Sequence, residues 1–177
     1  MALYHFVTDI RVAASPDAVW DVLEDPTAWP QWWKRLRRAD VIAPGRPDGV
    51  GRRYRLAVRT ALPYTLTFES ETTRISRPSV WEALVRGELE GTGLYEVFPV
   101  DGGSAVRHTW VVATTRRWMN ALTPVARPLF GWNHAVLMRD FATGLADRLG
   151  VALLSSADRV VAPGSAGFGQ LTPSAPG

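Results

Sequence analysis

Polar and apolar residues alternate from Tyr4 to Ala13, with Phe6, Ile10 and Val12 set among polar neighbours. A period of two predicts a strand with one buried face. The pattern then changes. Ser15 and Pro16 make an N-cap followed by proline at the first helical position, and Val19, Trp20, Val22 and Leu23 form an apolar face before Pro26 stops the helix. Asp25 and Thr27 open a second short element with Pro30 inside it, so one or two irregular helical turns carrying Trp29, Trp32 and Trp33 are expected. Two short helices therefore follow the first strand.

Period two returns in six segments: 39–43, 51–59, 64–75, 79–87, 88–98 and 105–114. Tyr54, Leu56 and Val58, then Tyr64, Leu66 and Phe68, then Val106, His108, Trp110 and Val112 give their strands one apolar and one polar face. Turn chemistry joins them at Pro44-Gly45-Arg46-Pro47-Asp48-Gly49, Arg77-Pro78 and Asp101-Gly102-Gly103. Such short connections imply an antiparallel meander, seven strands with the first included.

From Arg117 the period becomes helical, broken near its start by Pro124 and Pro128 and clean from about Leu129 to Leu149, with Gly150 as C-cap. At about 100° per residue, Phe130, His134, Leu137, Met138, Phe141 and Leu145 share a stripe opposite Arg139, Asp140, Thr143 and Asp147. That stripe must face the sheet. The expected fold is α+β, a seven-stranded antiparallel sheet wrapped around a long C-terminal helix, in one domain over residues 1–152. Residues 153–177, rich in Ser, Ala, Gly and Pro and without a period, read as a disordered tail.

Composition narrows the chemistry. With 177 residues, 46% of them hydrophobic, the chain can bury a core without staples. It has no cysteine, which excludes disulfides, thiolate metal sites and a cysteine nucleophile. No window reaches the length of an apolar membrane span and no leader pattern opens the chain, so a cytoplasmic protein not integral to a membrane is expected. The net charge is only +3, with Lys34 the sole lysine. The cluster Lys34, Arg35, Arg37 and Arg38 reads as a solvated face or as a contact for a phosphate or acidic partner. Arg53, Arg55 and Arg59 lie on the polar phase of their strand. Gly87, Gly91 and Gly93 fall in strands and form no phosphate loop, no nucleophile elbow occurs, and nothing resembles a nucleic-acid-binding motif.

His134 stands at the centre of an apolar stripe, where burial favours a neutral imidazole able to accept one proton and donate another. It reads either as a core histidine or as a group that orients a ligand carbonyl or acts as general base. His108 shares a strand face with Val106 and Trp110, so two imidazoles could converge; a slip of one residue would turn it outward. Without a carboxylate or thiolate on matching spacing they fall short of a zinc set. Tyr54, Tyr64 and Tyr95 could offer hydroxyls, with Phe68, Trp81 and Trp110 as walls. Asn133 flanks the stripe as a ligand contact or a local cap. Eight tryptophans suit a pocket as well as a core.

The phrases Val12-Ala13-Ala14-Ser15-Pro16-Asp17-Ala18-Val19-Trp20-Asp21-Val22-Leu23 and Trp29-Pro30-Gln31-Trp32-Trp33 resemble the opening of the START-like helix-grip superfamily, in particular its bacterial polyketide cyclase/dehydrase and lipid-transport family. Trp118-Met119-Asn120-Ala121-Leu122-Thr123-Pro124 and Phe130-Gly131-Trp132-Asn133-His134 are similar to one subgroup of it. The resemblance covers about Leu3 to Gly150. It implies a small hydrophobic ligand, lipid-like or aromatic, held without a cofactor between sheet and helix. On that footing Tyr54, Tyr64, Phe68, Trp81, Tyr95, His108, Trp110, Phe130, Asn133, His134, Leu137 and Phe141 are the candidate ligand contacts. An alternative is an aromatase/cyclase or dehydratase working on a poly-β-keto chain by acid/base catalysis, with His134 and His108 as candidate catalytic groups and an acyl carrier protein as partner. A protein-interaction domain without a small ligand is the third. In the subgroup an acidic residue often follows the Asn-His pair; here Ala135 does, so that position supplies no carboxylate to His134.

Overall fold

The computed structural model describes residues 3–115 and 123–161. In chain order these form β1 (Leu3–Val12), α1 (Pro16–Leu23), a 3-10 segment (Pro26–Gln31), β2 (Leu36–Ala43), β3 (Arg53–Arg59), β4 (Thr65–Ser76), β5 (Val80–Gly87), β6 (Leu89–Val100), β7 (Gly103–Thr114), α2 (Thr123–Leu149) and β8 (Leu153–Val160). One antiparallel sheet runs β2-β3-β4-β5-β6-β7-β1-β8. The meander from β2 to β7 closes back on β1, and α2 packs across the face that the strands turn inward. This is the expected helix-grip order, and both helix starts behave as their sequence implies. Ser15 Oγ accepts from Ala18 N at 3.3 Å, and Asp25 Oδ1 accepts from Thr27 N at 3.0 Å.

Strand count is the correction, eight rather than seven. Residues 153–160, expected to be disordered, pair with β1 in the register Phe6↔Val160, Thr8↔Asp158 and Ile10↔Ser156. Gly150 makes the return possible. At φ +68 it ends α2, Val151 N donates to Ala146 O at 3.1 Å, and Ala13 N then receives the chain through Ala152 O at 3.2 Å. Most of β8 stays exposed. Its order comes from the backbone ladder on the free edge of β1, and a strand held that way needs no apolar period. The folded unit therefore runs past 152, to Val160 at least. Residues 162–177 of the expected tail, and Trp118-Met119-Asn120-Ala121-Leu122 of the subgroup phrase, lie outside the described residues.

The polar sheet face carries cross-strand ion pairs, Arg55 with Glu69, Arg86 with Glu71 and Arg74 with Glu82. These are exposed and contribute little. The core lies between the inner face, α1, the 3-10 segment and α2. At its centre Phe141 packs edge-on against Trp32 and Trp33, with ring centroids 5.3 and 5.2 Å away, and against Trp29 at 5.8 Å. Trp33 Nε1 donates to Leu137 O at 3.2 Å and Trp29 Nε1 to Leu23 O at 3.1 Å, so the indoles bolt the 3-10 segment to both helices.

This close approach requires Gly144. A Cβ there would sit 2.2 Å from Trp32 O, a backbone atom that cannot swing aside. Gly→Ala inside a helix ordinarily gains about 1 kcal/mol. At Gly144 overpacking of about 1–3 kcal/mol or more outweighs that gain. Gly144→Ala is expected to lower the urea midpoint with an unchanged m-value; a midpoint that rises would show that the helix and indoles are not in contact as described.

Candidate functional site

Between the inner sheet face and α2 lies a cavity of about 140 Å³. Period two supplies its walls from the strands: Tyr54, Leu56 and Val58 of β3, Leu66 and Phe68 of β4, Trp81 of β5, Tyr95 of β6, and His108, Trp110 and Val112 of β7. Helical spacing supplies its roof, Phe130, Asn133, His134, Leu137 and Met138 of α2. Eleven of the twelve candidate ligand contacts line this space.

Phe141 does not. It is 0% exposed beneath the three indoles, one turn beyond the last lining residue of the same stripe. Tyr4, Phe6, Trp29, Trp33 and Met138 also line the cavity, beyond the twelve candidate contacts. Phe6 and Met138 had the right phase in β1 and α2, and the two indoles stood out by number alone, so phase was the usable signal.

The polar groups of the cavity sit in a column of near-parallel rings. Phe6 stacks on His134 with centroids 4.2 Å apart, His134 faces His108 at 6.4 Å, and His108 stacks on Tyr95 at 4.3 Å. His134 Nδ1 lies 3.2 Å from each carboxylate oxygen of Asp158, and Thr8 Oγ1 donates to Asp158 Oδ1. The His134 and Asp158 side chains are 10% and 11% exposed. A carboxylate partner for His134 thus exists, supplied by β8 and not by the position after it. No sequence signal marked Asp158, a lone acid in a serine- and alanine-rich run.

His108 is different: neither ring nitrogen finds a hydrogen-bond partner among the described residues. Burial pushes its pKa down to about 3, with a smaller contribution from nearby His134, so the ring is neutral at physiological pH. Burial likewise raises the pKa of Tyr95 and of Tyr54, keeping both phenols protonated. Trp81 Nε1 is satisfied by Thr72 Oγ1 at 3.0 Å, which leaves its ring face as an apolar wall.

Asn133 has a structural task. Its Oδ1 accepts from Ala61 N at 2.7 Å and ties the 60–64 loop to α2 at the cavity's edge, where Thr60 Oγ1 donates to Leu62 O and Tyr64 O. The basic cluster divides. Arg35 pairs with Asp140 at 2.5 Å and Arg38 with Asp40, while Lys34 and Arg37 remain exposed. Among the described residues no set of three His, Asp or Glu side chains converges as a metal site, and no helix is long and apolar enough to cross a membrane. The arrangement can do two things chemically. It can bury an apolar molecule against aromatic walls, and it can offer imidazole nitrogens to that molecule's polar atoms.

No curated protein sequence matches the chain. Among solved structures, the Zhui aromatase/cyclase from Streptomyces sp. R1128 superposes with a TM-score of 0.68 at 17% identity, over 84% of this chain and 94% of that one. A START superfamily protein from Mycobacterium smegmatis does so with a TM-score of 0.68 at 17% identity, over 82% and 97%. The di-domain aromatase/cyclase BexL of the BE-7585A biosynthetic pathway gives 0.65 at 16% identity, over 82% of this chain and 49% of that one. At such identities the shared feature is the fold. By sequence, residues 4–152 match the family described as polyketide cyclase / dehydrase and lipid transport. With the helix-grip sheet, the aromatic cavity and a match over most of its length, the chain belongs to that family.

Proposed function

We propose that the chain binds a small hydrophobic molecule, lipid-like or aromatic, between sheet and α2. The observation that carries this reading is the cavity itself, walled by Phe68, Trp81, Trp110 and Phe130 and holding only a few polar groups. Such a space removes an apolar guest from water, at roughly 25 cal/mol per Å² of buried surface. Native mass spectrometry of freshly purified protein is the direct search for a resident ligand. A titration with 2-methoxynaphthalene, followed by tryptophan fluorescence, is expected to saturate. His108→Phe and His134→Phe should each keep its affinity within about tenfold, about 1.4 kcal/mol, because walls dominate for an apolar guest. A linear, unsaturable response would overturn the reading.

Aromatase/cyclase or dehydratase chemistry on a poly-β-keto chain is the second reading, favoured by one observation, the two neutral-capable imidazoles facing the same cavity. The walls would fold the chain and an imidazole would take a proton α to a carbonyl. An acyl carrier protein, acidic at its surface, would deliver such a substrate to the exposed Lys34 and Arg37. In single-turnover assays with a synthetic poly-β-ketone, His134→Ala is expected to change the product pattern. Identical spontaneous products from variant and wild type would dismiss it.

A further inference from the structure

We infer that Asp158 positions His134 so that its Nε2 accepts a hydrogen bond from an acidic hydroxyl, a phenol or an enol, on the molecule held in the cavity. This rests on the ligand-binding reading above and adds the chemical class of the ligand. The family match ends at residue 152, so Asp158 comes from a strand outside it.

Three elements build the arrangement. From β8, Asp158 sits opposite Thr8 of β1 in the strand register and receives the Thr8 hydroxyl. A carboxylate this buried requires partners. Its second partner is His134 Nδ1 of α2, 3.2 Å from both oxygens. An ionised carboxylate only accepts, so the proton of a neutral His134 is on Nδ1, and Nε2 is left as a bare acceptor.

Among the described residues, the ring's other recorded neighbours are uncharged. Phe6 of β1 covers one face at 4.2 Å, and His108 of β7 is 6.4 Å away, itself neutral. A ligand ether or ketone has no proton to give Nε2, whereas a phenol or enol does. Should that proton move fully to Nε2, the imidazolium formed is already paired with Asp158. His134 is the contact; Asp158 acts through it and is a positioning residue.

The test uses the full chain, labelled with ¹⁵N at histidine, and two probes of one shape, 2-naphthol and 2-methoxynaphthalene. Long-range ¹H–¹⁵N correlations should show His134 as the Nδ1–H tautomer in wild type, and Asp158→Ala should shift it toward the Nε2–H form. Wild type is expected to prefer 2-naphthol by about tenfold, the worth of one hydrogen bond, and Asp158→Ala to reduce that preference to about twofold or less. Asp158→Asn, nearly isosteric, serves if the alanine variant does not fold; the wild-type tautomer needs no variant at all. An Nε2–H tautomer in wild type, or a hydroxyl preference that survives both substitutions, would overturn the inference. Saturable binding of 2-methoxynaphthalene with no preference for 2-naphthol would sink this inference alone. Failure of both probes to bind would sink the ligand-binding reading, and the hydroxyl class with it.

Discussion

Exchanging His108 for phenylalanine is expected to raise the stability of the ligand-free protein and to remove most of its sensitivity to mild acid. Both ring nitrogens of His108 are buried without a hydrogen-bond partner among the described residues. An unsatisfied buried polar group costs about 1–3 kcal/mol, and a phenyl ring between Tyr95 and Trp110 keeps the stacking without that cost. The acid response follows from the same burial. The folded pKa is depressed to about 3, from 6.5 for the free side chain. Between these values the unfolded chain binds a proton that the folded one refuses. Stability is therefore full above about pH 6.5 and falls as the pH drops, by at most about 1.4 kcal/mol per pH unit.

From about pH 6.5 to about pH 4.5 wild type should lose roughly 2–3 kcal/mol through this group. Asp9 does not confuse the measurement. Partial desolvation opposes its ionisation, but hydrogen bonds from Arg107 and Arg159 prevail and lower its pKa below 3.8, so its contribution is lost only in stronger acid. Urea unfolding at the two pH values, for wild type and His108→Phe, reads the effect directly. Parallel losses in both proteins would mean that His108 is hydrated or partnered in solution.

Phe141→Ala is expected to be the most damaging single truncation, at about 3–5 kcal/mol. The ring is 0% exposed and touches Trp29, Trp32 and Trp33 edge-on, with Tyr95 stacked at 6.0 Å. Two of those indoles line the cavity, and hydrogen bonds from Trp29 and Trp33 to backbone carbonyls keep them from collapsing into the space left behind. For a chain of this size the melting temperature should fall by about 10 °C or more. Phe130→Ala, on the same helix stripe, is the contrast. Phe130 borders space that is already open, so its removal enlarges an existing cavity and loses fewer contacts. Calorimetry that ranks Phe130→Ala as the worse of the two would show that the cavity and the packed core have been placed at the wrong ends of α2.

These two phenylalanines show how far periodicity reaches. In the sequence Phe130, His134, Leu137 and Phe141 are equivalent, since a helical wheel reports the direction in which a side chain points and nothing about what waits there. The cavity begins at Phe130 and ends before Phe141 because the indoles of Trp29, Trp32 and Trp33 fill one end of the space. Those indoles arrive from a segment more than a hundred residues earlier. Asn133 shows the same limit. Its position beside the stripe was legible, but its partner is a backbone amide of the 60–64 loop, and that contact exists only after β3 and α2 have packed.

Whatever depends on neighbours along the chain could be read from the residues in order. Ser15, Pro16 and Pro26 delimited α1, alternation placed the strands of the meander and turned Tyr54, Phe68, His108 and Trp110 inward, and the stripe on α2 identified its buried face. Packing settled what depends on distance through space. It made β8 a strand, because the edge of β1 offered its backbone a ladder; it brought Asp158 to His134 and left His108 without a hydrogen-bond partner among the described residues; and it separated cavity from core. Periodicity encodes direction within one element, whereas depth, partnership and burial arise where elements meet.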